Sequence, residues 1–134
     1  MKILEKQCVL AVDNHRQVLN FIKICLQGAG YNVLICLTGE EALMMVEVEE
    51  PDIIILDVLM PGMNGFEFLR RLRRFTSVPV IAISTDDSVA TQTLSFGATQ
   101  FMSKPFRTDD LVAIIGTILT QNRQERVASP NQSA

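Results

Sequence analysis

The 134-residue sequence has no tryptophan and only one tyrosine, so the core it builds must be aliphatic. No apolar stretch approaches the roughly 20 residues that a membrane-spanning helix needs. The amino terminus lacks the basic-then-apolar layout of a secretory signal, so the cytoplasm is the expected compartment and no membrane contact is expected. Excess positive charge is missing too: the formal charge is -3, which argues against a nucleic-acid-binding surface on this domain. Cys8, Cys25 and Cys36 are odd in number and form no C-x-x-C pair. They read as small core hydrophobes with free thiols rather than as metal or redox groups. There is no glycine-rich phosphate loop, because Gly28-Ala29-Gly30 ends a helical pattern instead of opening one. No internal repeat is present.

What remains is a regular alternation within a length suited to one domain with a sizeable core. Strand-like runs at Cys8 to Val12, Asn32 to Cys36, Asp52 to Leu56, Pro79 to Ile83 and Thr99 to Met102 are each followed by a helical pattern. The helices are expected at about 15–28, 39–48, 64–74, 86–95 and 108–121. Val18, Ile22, Cys25 and Leu26 form the stripe of the first helix, and Leu111, Ile114, Ile115 and Ile118 that of the last. Thr38 with Glu41, and Asn64 with Glu67, have capping-box spacing or a close variant. Repeated strand–helix order implies a parallel sheet with right-handed crossovers and helices on both faces. Residues 1–121 are expected to form that domain, and 122–134 a polar, disordered tail.

The chemistry gathers at the carboxyl ends of the strands, where ligands bind in such folds. Ile53-Ile54-Ile55-Leu56 is a continuous apolar run, the pattern of a strand buried on both faces, and it delivers Asp57 to its end. The first strand ends in Val12-Asp13-Asn14, the fourth in Ser84-Thr85, the fifth in Ser103-Lys104-Pro105. Two carboxylates and an amide oxygen suit a small hard cation such as Mg²⁺. A lysine and a hydroxyl facing that cation suit an incoming phosphoryl group.

In this order and at these positions, Val12-Asp13-Asn14, Leu56-Asp57-Val58-Leu59-Met60-Pro61-Gly62-Met63-Asn64-Gly65, Ile83-Ser84-Thr85 and Phe101-Met102-Ser103-Lys104-Pro105-Phe106 are jointly specific. The chain resembles the receiver domains of two-component response regulators over about residues 5 to 121. The resemblance implies a flavodoxin-like, three-layer α/β/α fold with a doubly wound parallel sheet of order 2-1-3-4-5. It implies that Asp57 accepts a phosphoryl group from a sensor histidine kinase or phosphotransfer protein. Mg²⁺ would be held by Asp13, Asp57 and the backbone carbonyl of Leu59. Ser84 would bind phosphoryl oxygens and, with Phe101, act as a switch, while Lys104 would pair with the acyl phosphate after a cis bond to Pro105. Output would pass through the face of helix 4, strand 5 and helix 5, which could also serve a homodimer. Such a domain is a phosphoacceptor assisting its own transfer and dephosphorylation, not an enzyme in the ordinary sense.

Three positions depart from the family pattern. Asn14 stands where a second acid is usual; it offers a carbonyl oxygen without charge, so weaker Mg²⁺ binding is expected. Thr85 replaces a smaller residue, and Leu59 puts an apolar side chain where a polar one could orient water; together they suggest slow hydrolysis of the acyl phosphate. A pseudo-receiver that binds proteins without phosphate is the alternative, resting on Asn14 and opposed by intact Asp57, Ser84 and Lys104. A phosphatase-type hydrolase would want an acid two residues after Asp57, where Leu59 stands. Elsewhere, His15 is expected to face solvent, and Arg70, Arg71, Arg73 and Arg74 to form a solvated helix face. Met44, Met45 and Val46 read as core packing, while Val112 and Leu119 lie off the last helix's main stripe and hint at a dimer face.

Overall fold

The computed structural model describes residues 6–128, and the side chains of 6–125. Five strands, β1 (Cys8–Val12), β2 (Asn32–Cys36), β3 (Ile53–Asp57), β4 (Val80–Ser84) and β5 (Gln100–Ser103), alternate with helices. The helices are α1 (Arg16–Gly28), α2 (Gly39–Glu49), α3 (Gly65–Leu72), α4 (Ala90–Ser95) and α5 (Thr108–Ala128), with a 3₁₀ turn at Asp87–Val89 ahead of α4. All ladders are parallel and the strand order is β2-β1-β3-β4-β5, as the alternation and the resemblance imply.

Side chains along a strand point alternately to its two faces, and that period divides the core in two. Val9, Ala11, Ile53, Ile55, Ile81 and Ile83 pack with Leu19, Ile22 and Leu26 of α1 and with Leu111, Ile115 and Leu119 of α5. Leu10, Val12, Ile54, Leu56, Val80 and Ala82 face the other way, onto Ala42 and Val46 of α2 and Phe68, Leu69 and Leu72 of α3. Every residue of β3 and β4 is buried, which explains their unbroken apolar runs. Truncating one of these isoleucines to alanine costs about 2–5 kcal/mol in comparable cores. Leu119 is therefore core and not a dimer surface, while Val112 is half-buried at the edge of the same cluster. On α2, Val46 is buried and Met45 packs beside it, whereas Met44 is exposed.

The ends of the elements are instructive. The last three strands lie one residue later than their patterns suggest, so Asp57, Ser84 and Ser103 occupy the final rungs rather than the loops beyond. The ladders continue because the backbone does not distinguish polar from apolar residues: Asp57 pairs with Ile83 and Ser84 with Ser103. Val58 N then donates to Ile83 O at 3.0 Å, and Lys104 N to Ser84 O at 2.8 Å. Thr38 Oγ1 and Asn64 Oδ1 cap α2 and α3 by accepting from Glu41 N and Glu67 N at 3.2 and 3.0 Å. The last helix outruns its expected end at 121 and reaches Ala128. Burial stops there, but glutamine, arginine, glutamate and alanine are good helix formers and neither glycine nor proline interrupts them before Pro130. Of the expected tail, residues 129–134 lie outside the described residues.

Candidate functional site

β1 and β3 are adjacent, so their carboxyl ends bring Asp13 and Asp57 side by side, and both are buried. The fifth strand ends opposite them, and the Lys104–Pro105 bond that follows is cis. Lys104 Nζ donates to Asp13 Oδ2 at 2.9 Å and to Asp57 Oδ2 at 3.5 Å. One ammonium thus joins residues 91 and 47 positions away in sequence. Each acid keeps its other oxygen for a different donor. Asp57 Oδ1 accepts from Leu59 N at 3.2 Å; Asp13 Oδ1 accepts from His15 N at 2.9 Å and lies 3.0 Å from His15 Nδ1.

The two acids are unequal. Burial acts to raise the carboxyl of Asp13, but hydrogen bonds from Lys104 and His15 outweigh it and hold the group below the usual range. Burial raises Asp57 as well, and the neighbouring Asp13 charge adds to it; Lys104 and Leu59 N only partly offset this. Asp13 is the fixed anion. Asp57 is the carboxylate held against its preference, with an oxygen less firmly engaged, and is the better candidate for reaction.

The remaining expected residues fall around this pair. Ser84 is buried, but its Oγ accepts from Asp86 N at 3.0 Å and makes no hydrogen bond to Asp57. Phe101 is half-buried beside Ala82. Ser103 Oγ donates to Asp87 Oδ1, tying β5 to the loop after β4. The Leu59 side chain is about half exposed, at 47%. Asn14 Oδ1 is buried with no hydrogen-bond partner. Two carboxylates and an unpaired amide oxygen form a donor set that fits a hard divalent cation.

The sequence reading missed two residues. His15 does face solvent, with its ring 62% exposed, yet its Nδ1 stays on Asp13 and the two acids and the imidazole form one potential ligand group. The readable signal was the spacing: two residues after a strand-end Asp, an amide folds back onto the carboxylate and brings its side chain along. Arg73 departs from the solvated face expected of the arginine run. Arg70 and Arg71 pair with Glu67, but Arg73 is half-buried and donates to Gly97 O, Thr76 O and Val78 O. Pocket size is no guide to the chemistry here. A cavity of about 800 Å³ lies at the amino end of the sheet, away from the acids, lined by Glu47, Glu50, Asp52 and Phe75.

Comparison with known proteins points the same way. The family model described as response regulator receiver domain matches residues 9–116. The chain is 33% identical over 133 residues to the transcriptional regulatory protein YvrH of Bacillus subtilis, covering 97% of this chain and 56% of that protein. It is 33% identical over 122 residues to the DNA-binding response regulator MtrA of Mycolicibacterium smegmatis, covering 90% and 54%. The chain therefore spans about half the length of these curated relatives. Among solved structures, a CheY-like response regulator receiver domain protein from Methanospirillum hungatei superposes with a TM-score of 0.85 at 26% identity, covering 90% of this chain and 99% of that one.

Proposed function

The chain belongs to the family of response regulator receiver domains, and from that premise we propose that Asp57 is its phosphoacceptor, charged by a sensor histidine kinase or a phosphotransfer protein. The observation that carries this reading is Lys104 bridging two unequal buried acids, of which Asp57 is the one burial and like charge disfavour. In the transfer, an Asp57 oxygen attacks phosphorus, the P–N bond to the donor imidazole breaks, and the nitrogen leaves with the bonding pair. Lys104 would follow the new phosphoryl oxygens, exchanging one carboxylate for a group with more charge and three acceptor oxygens. Mg²⁺ on Asp13, Asp57 and the Leu59 carbonyl, with Asn14 as a neutral fourth donor, would neutralise those oxygens.

Ser84 supplies the switch. Its Oγ accepts from Asp86 N, which leaves the O–H free to donate to a phosphoryl oxygen, and a shift of Ser84 toward that oxygen would draw the loop before α4 with it. Phosphorylation then biases two arrangements of that loop rather than creating one. Phe101 in β5, beside Ala82, would repack as the loop shifts, so the signal would emerge on the α4–β5–α5 face, where a homodimer could form. Thr85 and the exposed Leu59 favour a long-lived acyl phosphate. Residues 1–121 would suffice as the receiver, working in the cytoplasm, while DNA binding stays with the portions of the longer relatives that this chain does not match.

The test is intact-mass analysis after incubation with acetyl phosphate and Mg²⁺. One added phosphoryl group in the parent chain and none in Asp57→Asn is the expected result. Equal labelling of both chains, or none in either, overturns the assignment.

A further inference from the structure

His15 has no part in the phosphoryl chemistry above, yet it is placed to act on the same pocket. Its Nδ1 and Asp13 Oδ1 are 3.0 Å apart. Two neighbouring ligands of one six-coordinate ion, each roughly 2.1 Å from it, are about 3 Å apart. One ligand atom from each of Asp13, His15 and Asp57 lies within 4.8 Å of the others, close to the span of about 4.2 Å across such an ion. Oδ2 of each acid is engaged by Lys104, while Oδ1 of Asp13 meets, among the described residues, groups of His15 alone. Between them in sequence, Asn14 carries a buried oxygen with no donor.

We infer that His15 tunes this pocket to prefer a late first-row divalent ion such as Zn²⁺ or Co²⁺ over Mg²⁺, by strengthening the former with little effect on the latter. The inference rests on the reading of Asp13 and Asp57 as cation ligands. Two adjacent residues push in one direction. Asn14 offers an uncharged oxygen where a carboxylate would strengthen attraction for a hard ion, and so weakens the site for Mg²⁺. An imidazole nitrogen adds a bond that Mg²⁺, which favours oxygen and keeps its waters, gains little from, but that Zn²⁺ and Co²⁺ take readily. The ring is mostly exposed, so it can turn from its hydrogen bond to a metal without repacking the core.

Because the chain has one histidine, its ring resonances report on this site alone. Zn²⁺ titrated into the full chain without phosphodonor is expected to shift the His15 ring nitrogens, whereas Mg²⁺ shifts the amides of 57–59 but not the ring. By calorimetry, His15→Gln should weaken Zn²⁺ binding at least about ten-fold and change Mg²⁺ affinity less than about two-fold. Asp13→Asn, which leaves Cys8, Cys25 and Cys36 in place, should abolish the ring shift. A ring unmoved by Zn²⁺, equal loss for both ions in His15→Gln, or a shift that persists in Asp13→Asn each overturns the inference. The mass assay compares only the parent chain with Asp57→Asn in acetyl phosphate and Mg²⁺, so failure here and failure of the phosphoacceptor assignment are distinguishable.

Discussion

Lys104 and Arg73 are two partly buried cations set at different ends of the molecule, and they are satisfied by opposite means. Lys104, at the carboxyl ends of the strands, meets two carboxylates that also repel each other. Arg73, after α3, meets neutral carbonyls, four hydrogen bonds to three of them, and no acid among the described residues. Burial alone pulls the Arg73 guanidinium below its ordinary value. Its planar fork spans the loops before β4 and after α4, where Gly97, at φ +109, carries its carbonyl to the guanidinium. The contrast separates structure from chemistry. A cation in a neutral cage has nothing to exchange, whereas a cation shared between unequal acids can transfer its attention when one of them changes charge.

Breaking the cage should give the largest effect on stability. Arg73→Ala strands three carbonyls and is expected to cost about 2–4 kcal/mol by urea unfolding, with Arg73→Lys recovering less than half. A loss under about 1 kcal/mol would show that water replaces the guanidinium without penalty. Lys104→Met should come next, at about 1–3 kcal/mol near neutral pH, because two buried carboxylates then lack their shared cation. Its stability should recover on mild acidification. With the ammonium gone, the already raised Asp57 carboxyl rises further above its unfolded value and Asp13 loses part of what holds it down, so stability is present at the acid side of that window and lost as pH climbs through it. A pH-independent loss would assign the lysine to packing instead.

Asp57→Asn should give the smallest change and the opposite sign. Asp57 is raised on folding, so its favourable contribution exists below the unfolded value near ~3.9 and is lost as pH rises through the folded one. Asparagine escapes that loss and should raise the melting temperature at pH 7 by a few degrees, the difference vanishing below about pH 4. Asp13 is lowered and works in reverse: its contribution exists above the unfolded value and is lost as pH falls through the folded one. Asp13→Asn should accordingly lower the melting temperature at pH 7. Two asparagine variants with the same sign would erase the asymmetry between the acids.

The sheet was legible because burial on both faces leaves no alternation, as in Ile53-Ile54-Ile55-Leu56, and because its helices show clear stripes and caps. The first two strands lie where their patterns put them, but the ends of the last three were misplaced by one residue, since apolar pattern tracks burial while the ladder tracks backbone hydrogen bonds. The same confusion of burial with helicity cut α5 short at 121 and set Leu119 on a surface it does not occupy. Arg73 could not be told from Arg70, Arg71 and Arg74 within the run, because the carbonyls that receive it come from residues 76, 78 and 97.

By itself, the order of residues put Asp13, Asp57, Ser84 and Lys104 at or just past the carboxyl ends of their strands, and a parallel sheet puts all those ends at one edge. Only the folded chain decided which of them touch. That Lys104 meets both acids, and meets Asp13 more closely, depends on distances of 2.9 and 3.5 Å between positions 91 and 47 residues apart. Hydrogen bonding and Coulomb attraction act at that range, and no local pattern encodes it.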